Sequence, residues 1–317
     1  MPTRVLVIGG TRFFGKRLVR GLLEQGCDLT LATRGRAADD FGDTVRRIRV
    51  DRRDAAAMRA AFDGARYDVV YDQMCYSPLD AAISAEVFAG KVGRYVMSST
   101  IEVYRGLPLP GGQPFTEADL ALDRVEVDHA YPWHAPEFSE VSYGRGKRQA
   151  EAFLQQDDRL PFTSVRIGHV LSGPDDFTGR LREYVERVLQ GRALWHAAVP
   201  GASSFTSPAG IVAFLLWVAQ APLLGPVNAA DDGVLTSVDI HRRVCALAGR
   251  PEQLRPVRSE VTPSELSPFD YPAPYAMDTA RAQAAGHYFG NTADWLDGFI
   301  VQHLEALRAQ AASAPAT

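Results

Sequence analysis

This sequence of 317 residues has three cysteines, no long apolar run and no excess of positive charge. The three cysteines, Cys27, Cys75 and Cys245, form no CxxC pair, so we expect free thiols in a reducing cytoplasm and no disulfide framework. The longest apolar run, 211–219, has about half the length that crosses a bilayer. The first apolar strand begins too early to leave room for a signal peptide. These absences argue against an exported or membrane-inserted protein.

The balance of charge narrows the possible partners. A formal net charge of −4 offers no basic field for a phosphate backbone, so we expect no nucleic-acid partner. None of the seven histidines pairs with acidic residues at metal-ligand spacing, so we expect no metal. The sequence therefore predicts a cytoplasmic protein that acts on a small-molecule substrate and has no membrane contact.

Strand and helix patterns alternate from the first residues. The run 4–8 (RVLVI) is apolar and β-branched, which is typical of a strand buried on both faces of a parallel sheet. Further strands are predicted at 28–32, 46–50, 67–71, 94–98 and 162–167, with helices between them at about 14–25, 54–62, 78–88 and 143–155. This order predicts the α/β class with a Rossmann-type doubly wound parallel sheet.

The regular alternation of predicted strands and helices ends after residue 170. Short helices at about 179–190, 208–220, 237–248 and 292–310 are separated by irregular connections. We predict a dinucleotide-binding domain of residues 1–170 that also takes in 206–230, and a smaller, mainly C-terminal substrate-binding domain of 171–205 and 231–310. Residues 311–317 are predicted to be a disordered tail, and the irregular stretch 106–142 a functional loop over the sheet.

The first strand runs into a glycine-rich turn and then a helix, the context in which a dinucleotide pyrophosphate is bound. Glycine is needed where the chain turns tightly and where its backbone contacts the phosphates. The usual middle glycine of this pattern is replaced by an arginine. The predicted cofactor-binding residues of the turn are Gly9, Thr11, Arg12, Phe13, Phe14 and Gly15.

The end of the second strand bears on the choice of cofactor. An NAD site requires Asp or Glu there, to bind the ribose 2′-hydroxyl, but this chain has Thr33 followed by Arg34 and Arg36. Because arginine pairs with a 2′-phosphate, these two arginines and Arg12 predict NADP(H) in preference to NAD(H). The alternative is that they are solvated loop charges. Asp51, after the third strand, is placed either to bind adenine or to cap the next helix.

Tyr143 and Lys147 have the i, i+4 spacing that puts two side chains on one helix face. An ammonium group beside a phenol lowers the pKa of the phenol, which makes tyrosine a usable acid/base near neutral pH. The pair follows a strand that ends in Ser-Ser-Thr, and this context strengthens an otherwise common pattern.

Together these segments resemble the extended, atypical short-chain dehydrogenases/reductases, the NAD-dependent epimerase/dehydratase family. The resemblance covers residues 3 to about 305 and rests on IGGTRFFG, VDRRD, YVMSSTIEVY, SYGRGKRQAE, SVRIGHVLSGP and GPVNAAD. It implies that Thr100 polarises the substrate oxygen, that Tyr143 is the acid/base and that Lys147 binds the nicotinamide ribose. It also implies a homodimer as a possible assembly, and cofactor contacts at Gln73, Met74, Ser98, Ser99, Gly168 and Val170.

Departures from the family pattern bear on the substrate. Ile101 and Glu102 stand where sugar-nucleotide 4,6-dehydratases have the Asp and Glu that eliminate water, which disfavours that chemistry. Glu102 is then either a second acid/base or a salt-bridged residue. His169 replaces an asparagine that often orders the catalytic loop or the substrate. Trp195 and His196 are further candidates for the substrate side of the site.

Three functions are compatible with these features. The leading one is an NADP(H)-dependent oxidoreductase that passes hydride between nicotinamide C4 and a carbinol or carbonyl carbon held by Thr100 and Tyr143. The second is a nucleotide-sugar or related epimerase with tightly bound cofactor. The third is a non-catalytic dinucleotide-sensing or RNA-binding relative, because the GGTRF form of the turn resembles a branch that includes chloroplast proteins described as RNA-binding. The acidic net charge and the Tyr143–Lys147 pair argue against the third.

Overall fold

Strands and helices alternate along the chain in a computed structural model that describes residues 2–135, 137, 142–257 and 267–313. The strands are β1 Arg4–Ile8, β2 Asp28–Thr33, β3 Arg46–Arg49, β4 Tyr67–Asp72, β5 Val92–Ser98, β6 Phe162–Ile167, β7 His169–Val170, β8 Leu194–His196, β9 Phe205–Thr206, β10 Gly225–Ala229 and β11 Leu254–Pro256. The helices are α1 Phe13–Glu24, α2 Ala55–Ala61, α3 Pro78–Phe88, α4 Tyr143–Asp157, α5 Arg180–Leu189, α6 Pro208–Val218, α7 Ser237–Ala248, α8 Ala280–Ala284 and α9 Thr292–Ser313.

Seven strands form one parallel sheet in the order β10-β6-β5-β4-β1-β2-β3. The chain builds outward from β1 to β3 and then crosses to the other side of β1 at β4. The predicted Rossmann-type fold class is therefore confirmed, with β10 as a strand beyond the six expected. In such a sheet the carboxyl ends of β1 and β4 flank a crevice, and this reversal point is where ligands bind.

Helices cover both faces of the sheet, which explains why its strands are apolar on both sides. On one face α1 and α6 pack against the strands through an apolar cluster that includes Leu18, Leu22 and Phe214. On the other face α2, α3 and α4 form a second cluster around Met58 and Phe88. Local chemistry starts several of these helices where the sequence predicts: the Asp54 side chain caps α2, and the Ser77 hydroxyl caps α3 ahead of Pro78.

A separate apolar cluster lies among α5, α7 and α9, around Leu181, Tyr184, Ile240 and Ile300. Strand β7 leads the chain from the sheet toward this part and pairs with β9, while β8 pairs with β11. The division into a dinucleotide-binding and a substrate-binding domain at the stated boundaries stays a prediction, and 258–266 lie outside the described residues.

The structure bears on two segments that were predicted to be irregular, the C-terminal tail and the stretch 106–142. Residues 311–313 continue α9, so the predicted disordered tail does not begin at 311, and 314–317 lie outside the described residues. The stretch 106–142 is described except for 136 and 138–141. It contains short 3₁₀ turns and buries Phe115 and Leu122 in a cluster with Tyr104. Among the described helices, none is both long enough and apolar enough to span a bilayer.

A fully buried ion pair fastens α4 to the sheet. Glu151 of α4 accepts two hydrogen bonds from Arg166 of β6, at 2.9 Å from Nε and 2.7 Å from Nη2, and both side chains are 0% exposed. The Ser99 hydroxyl donates to the other Glu151 oxygen, and the Tyr104 hydroxyl accepts from Arg166 Nη1 at 2.8 Å. Burial disfavours the charged guanidinium, but the neighbouring carboxylate outweighs it and raises the pKa of Arg166. A charge this deep is tolerated only because every partner is present.

Glu151→Gln should therefore be strongly destabilising, because it keeps the shape of the side chain but leaves the Arg166 charge buried and uncompensated. We expect the free energy of unfolding, measured by urea denaturation, to fall by about 3–5 kcal/mol. Arg159→Gln is the control, since Arg159 and Asp157 form an exposed pair of the same type and should matter little. Equal, small effects of the two substitutions would contradict this account.

Candidate functional site

A cavity of about 950 Å³ opens at the carboxyl ends of the central strands. It lies at the reversal point of the strand order (the switch point), where such sheets bind ligands, and beside the residues that follow β1, β4, β5 and β6. Twelve of the residues singled out in the sequence line its wall, from five separate segments of the chain. They are Phe13, Phe14, Gln73, Ser98, Ser99, Thr100, Glu102, Tyr143, Lys147, Gly168, His169 and Val170.

The glycine turn fits the backbone of a phosphate-binding loop. Gly9 and Gly10 have φ of +97° and +82°, which residues with a Cβ rarely adopt. A Cβ on Gly15 would overlap the amide oxygen of Gln73, so this glycine lets α1 approach the end of β4. Helix α1 begins without a side-chain cap from the described residues, because Arg12 occupies the N-cap position and makes no capping hydrogen bond. The N–H groups of its first turn are thus left for an anion.

The three arginines predicted to select NADP(H) are placed around the same end of the sheet, outside the cavity wall. Arg12 is exposed at the start of α1, and Arg34 and Arg36 are exposed beyond β2. Arg34 Nη1 lies 3.9 Å from a carboxylate oxygen of Asp51, and both side chains are nearly half exposed. An exposed pair at that distance contributes little. It therefore leaves Arg34 able to exchange partners.

Thr100 and Tyr143 meet on the cavity wall. Burial raises the pKa of the Tyr143 phenol, and a hydrogen bond with the Thr100 side chain and the charge of Arg180 partly offset this. The tyrosine keeps 37% of its surface exposed toward the open cavity. The phenol is therefore accessible to a ligand, and protonated at neutral pH.

Lys147 is on the same helix face, and its side chain is buried. The ammonium group donates to the Ser98 carbonyl at 2.6 Å and lies 4.2 Å from the centre of the Tyr76 ring. Burial is the main reason that the pKa of Lys147 is lowered to about 8. The charge of Arg180 acts to lower the pKa of Tyr143. That Lys147 binds the nicotinamide ribose and tunes Tyr143 stays a prediction.

Tyr76 was missed by sequence reasoning. Its ring lies between the two predicted catalytic side chains, 6.0 Å from the Tyr143 ring centre and beneath the Lys147 ammonium. The two helical glycines explain the close packing. A Cβ on Gly144 would lie 2.6 Å from the Glu102 carbonyl oxygen, and one on Gly146 would overlap the Tyr76 carbonyl oxygen. Each glycine costs a helix about 1 kcal/mol, which here is the cost of docking α4 at this depth.

A buried charged network supports the end of β4. Asp72 accepts from Arg52, from Ser84 at 3.2 Å and from Tyr95 at 2.7 Å, and its second oxygen accepts the Met74 N–H at 2.9 Å. Arg52 also pairs with a second carboxylate, Asp80. These bonds fix the backbone of 72–76. They hold the Gln73 side chain against the glycine turn, where its buried amide nitrogen has no partner among the described residues.

Two further predicted residues form polar pairs at the cavity wall. His169 Nε2 lies 2.8 Å from the hydroxyl of Tyr271, and the two rings are stacked at 5.8 Å. Glu102 is salt-bridged to Arg105 at 3.1 Å, one of the two alternatives stated for it. Burial raises the pKa of the Glu102 carboxyl, and two arginines, Arg105 and Arg180, oppose this shift.

Trp195 and His196 are not brought to the cavity. They belong to β8, where Trp195 packs under the Arg255 guanidinium and His196 Nδ1 lies 2.8 Å from the Ala197 carbonyl oxygen. The prediction that they flank the substrate is not supported by this placement. Within the described ranges no cluster of three or more His, Cys, Asp or Glu side chains could hold a metal ion.

Comparison with known sequences points to one family. Residues 5–89 match the family model described as the NAD dependent epimerase/dehydratase family. A 204-residue alignment with the chloroplast stem-loop binding protein of 41 kDa b from Arabidopsis thaliana is 25% identical. It covers 60% of this chain and 48% of that protein, so this chain matches about half the length of that relative.

Comparison with solved structures extends the likeness of fold to the whole chain. A UDP-glucose 4-epimerase from Thermus thermophilus, in complex with NAD, superposes with a TM-score of 0.70 at 20% identity, covering 96% of this chain and 99% of that one. A dTDP-glucose 4,6-dehydratase from Bacillus anthracis, in complex with NAD, gives 0.71 at 14% identity, covering 96% and 97%. As the sequence resemblance implies, residues 5–89 match the NAD dependent epimerase/dehydratase family, and the fold of the whole chain is similar to the folds of this epimerase and this dehydratase.

Proposed function

We propose that the chain is an NADP(H)-dependent oxidoreductase that interconverts a secondary alcohol and a ketone, with Tyr143 as the acid/base. One observation carries this proposal. The Tyr143 phenol, the Thr100 hydroxyl and Lys147 share one wall of the cavity at the switch point of a dinucleotide-binding sheet. General acid–base catalysis requires a proton donor within hydrogen-bond reach of the reacting oxygen, and two hydroxyl groups are available here.

The cavity suits a nicotinamide dinucleotide. The glycine turn and the uncapped start of α1 would hold the pyrophosphate, and the unpartnered Gln73 amide nitrogen would donate to the ligand. Ser98, Ser99 and Lys147 would line the nicotinamide half. When bound, the nicotinamide supplies or accepts a hydride at its C4 atom.

Tyr143 suits the role of proton donor during ketone reduction. A phenol is protonated at neutral pH, and burial raises the pKa of Tyr143 further above its ordinary value. Thr100 would donate to or accept from the same substrate oxygen, which places that oxygen near the phenol. As the proton leaves, the Arg180 charge and the Thr100 hydrogen bond stabilise the phenolate.

His169 and Tyr271 would form a neutral polar wall on the substrate side. Burial and the charges of Arg180 and Arg105 lower the pKa of the His169 imidazole well below its ordinary range. The neutral ring can donate or accept a hydrogen bond without adding a charge beside Tyr143.

The preference for NADP(H) rests on the arginines beyond β2 and at the start of α1. Thr33 replaces the acid that would bind a ribose 2′-hydroxyl, and its side chain accepts from the Gly35 N–H. The weakly paired Arg34 is the strongest candidate for the 2′-phosphate, and Arg12 the second. Asp51 would then bind adenine.

An epimerase is the second candidate, favoured by the overlay with UDP-glucose 4-epimerases. It would oxidise and re-reduce one carbon with retained cofactor. Adding a substrate would then leave the absorbance of the reduced nicotinamide unchanged, whereas a reductase would consume it. Stem-loop binding, the property in the name of the Arabidopsis relative, would require contact with a polyanion by a chain of net charge −4.

Tyr143→Phe should abolish catalysis and spare cofactor binding. Removing the proton donor should lower kcat/KM about 10²–10⁴-fold, while the Kd for NADPH stays unchanged. The measurement is NADPH oxidation with ketones and nucleotide sugars, beside NADPH binding by fluorescence. Tyr288→Phe is the matched control, because Tyr288 is 81% exposed and outside the cavity wall. Full activity in Tyr143→Phe would rule out Tyr143 as the acid/base.

Replacing Arg12 and Arg34 together with glutamine should weaken NADPH binding and hardly affect NADH. A charge-assisted hydrogen bond contributes about 1.5–3 kcal/mol, so we expect a loss of one to two orders of magnitude in NADPH affinity by calorimetry. Arg46→Gln is the control, because Arg46 lies at the amino end of β3, away from the site. Equal losses for the two cofactors would rule out the 2′-phosphate role.

The neutral His169 predicts a specific pH dependence of stability. As the pH falls through about 6.5 the unfolded chain binds a proton at this histidine, but the folded chain does not. The free energy of unfolding therefore decreases as the pH is lowered below about 6.5, by up to about 1.4 kcal/mol per pH unit. Denaturation of His169→Asn at several pH values should show a shallower decline than the wild type. His129→Asn, at an exposed position, should keep the full slope. Identical slopes in all three proteins would contradict the buried neutral state.

A further inference from the structure

We propose that Arg180 binds an anionic group of the substrate, a carboxylate or a phosphate, so that the enzyme acts on anionic alcohols and ketones. This inference rests on the proposed function and names its substrate class. Arg180 is the first residue of α5 and lies on the cavity wall, next to the side that carries His169 and Tyr271.

The guanidinium is held in place by the protein. Its Nε donates to the Thr178 hydroxyl and its Nη2 to the Val170 carbonyl oxygen, both at 3.2 Å. The guanidinium carbon also lies 5.3 Å from the centre of the Phe269 ring. A side chain fixed in this way loses little conformational entropy when it binds a ligand.

Arg180 also keeps donors to spare. A guanidinium has five N–H groups, and two of them are used in these bonds. Other cavity arginines are already engaged: Arg105 with Glu102 at 3.1 Å, and Arg145 with Asp128 at 3.3 Å. Among the described residues, no carboxylate lies within salt-bridge distance of Arg180. Its remaining N–H groups can form the two-pronged contact that matches a carboxylate or a phosphate.

The position of this charge relates it to the reaction. The charge of Arg180 acts to lower the pKa of Tyr143 and of His169. Its field therefore reaches both the proposed acid/base and the side of the cavity that carries His169. Among the described residues that line the cavity, basic side chains outnumber acidic ones, and one lining residue is acidic, Glu102. The basic lining residues are Arg105, Arg145, Lys147, Arg148 and Arg180. An anionic group bound here would sit beside the reacting carbon and would be attracted into the cleft.

A calorimetric titration with two simple anions tests the proposal. Acetate and inorganic phosphate are titrated separately into the free protein and into the protein saturated with NADP⁺. We expect the wild type to bind at least one of them, and Arg180→Gln to bind it at least tenfold more weakly. Arg180→Lys keeps the charge but loses the fork, so it should fall between the two. Arg192→Gln is the control, since Arg192 is an exposed residue beyond the end of α5. The two titrants distinguish a carboxylate site from a phosphate site.

A kinetic comparison extends the test to turnover. A 2-oxo acid is compared with its methyl ester, and a ketose phosphate with the free ketose. Arg180→Gln should lower kcat/KM for the charged member of a pair at least tenfold more than for the neutral member, which loses only the stabilisation that the Arg180 charge gives to the Tyr143 phenolate. Thermal denaturation of each variant establishes that it is folded, and Arg180→Lys decides the matter if Arg180→Gln does not fold.

Three results would overturn the proposal. The first is that the wild type binds neither anion. The second is that Arg180→Gln binds the anions as tightly as the wild type. The third is that the variant loses NADP⁺ affinity by the same factor as anion affinity, which would make Arg180 a cofactor ligand. If the protein binds no dinucleotide, the proposed function fails, and the titration of the free protein still decides the role of Arg180.

Discussion

The buried Glu151–Arg166 pair is the interaction on which the site depends most. It joins the middle of α4 to β6, and it continues through Ser99 to the end of β5. Because Lys147 and Tyr143 lie one and two turns before Glu151 on the same helix face, fixing Glu151 fixes where both of them stand over the strand ends. The pair therefore sets the depth and rotation of the helix that carries the chemistry.

A second buried network acts on the same helix from the other side. Asp72, Arg52 and Asp80 hold the segment after β4, which carries Tyr76 under the Lys147 ammonium. Burying charges in both places costs free energy that an apolar core would save. What they provide is position: the backbone of 72–76, the start of α4 and the end of β5 meet at one point with no room for a side chain on Gly146. The site is thus built on rigid elements.

The sequence predicts the parts of this site whose signals are local. Apolar strand runs, helix caps such as Asp54 and Ser77, the glycine turn and the i, i+4 spacing of Tyr143 and Lys147 each depend on a few neighbouring residues. Most of the predicted cofactor and catalytic residues lie near the carboxyl ends of β1, β4, β5 and β6 or at the start of α4, as these local signals indicate.

Contacts made across long separations could not be predicted. Tyr76 reaches Lys147, and Arg180 acts on Tyr143, only because the sheet brings distant segments together. The Lys147 ammonium group donates to the Ser98 carbonyl oxygen, and the spacing of residues along the sequence does not predict this contact. The placement of Trp195 in β8, outside the described cavity wall, could not be predicted, because an aromatic beside a histidine has the same local pattern in a short strand as at an active site.

In the function that we propose, the glycine turn and Tyr143 serve one bound dinucleotide. The decisive experiment is a crystal structure of the protein with NADP⁺. We expect the pyrophosphate at the start of α1, the 2′-phosphate beside Arg34 and the nicotinamide C4 facing the Tyr143 hydroxyl. A dinucleotide bound elsewhere, or a nicotinamide that leaves Tyr143 and Thr100 out of reach of its C4 atom, would contradict it.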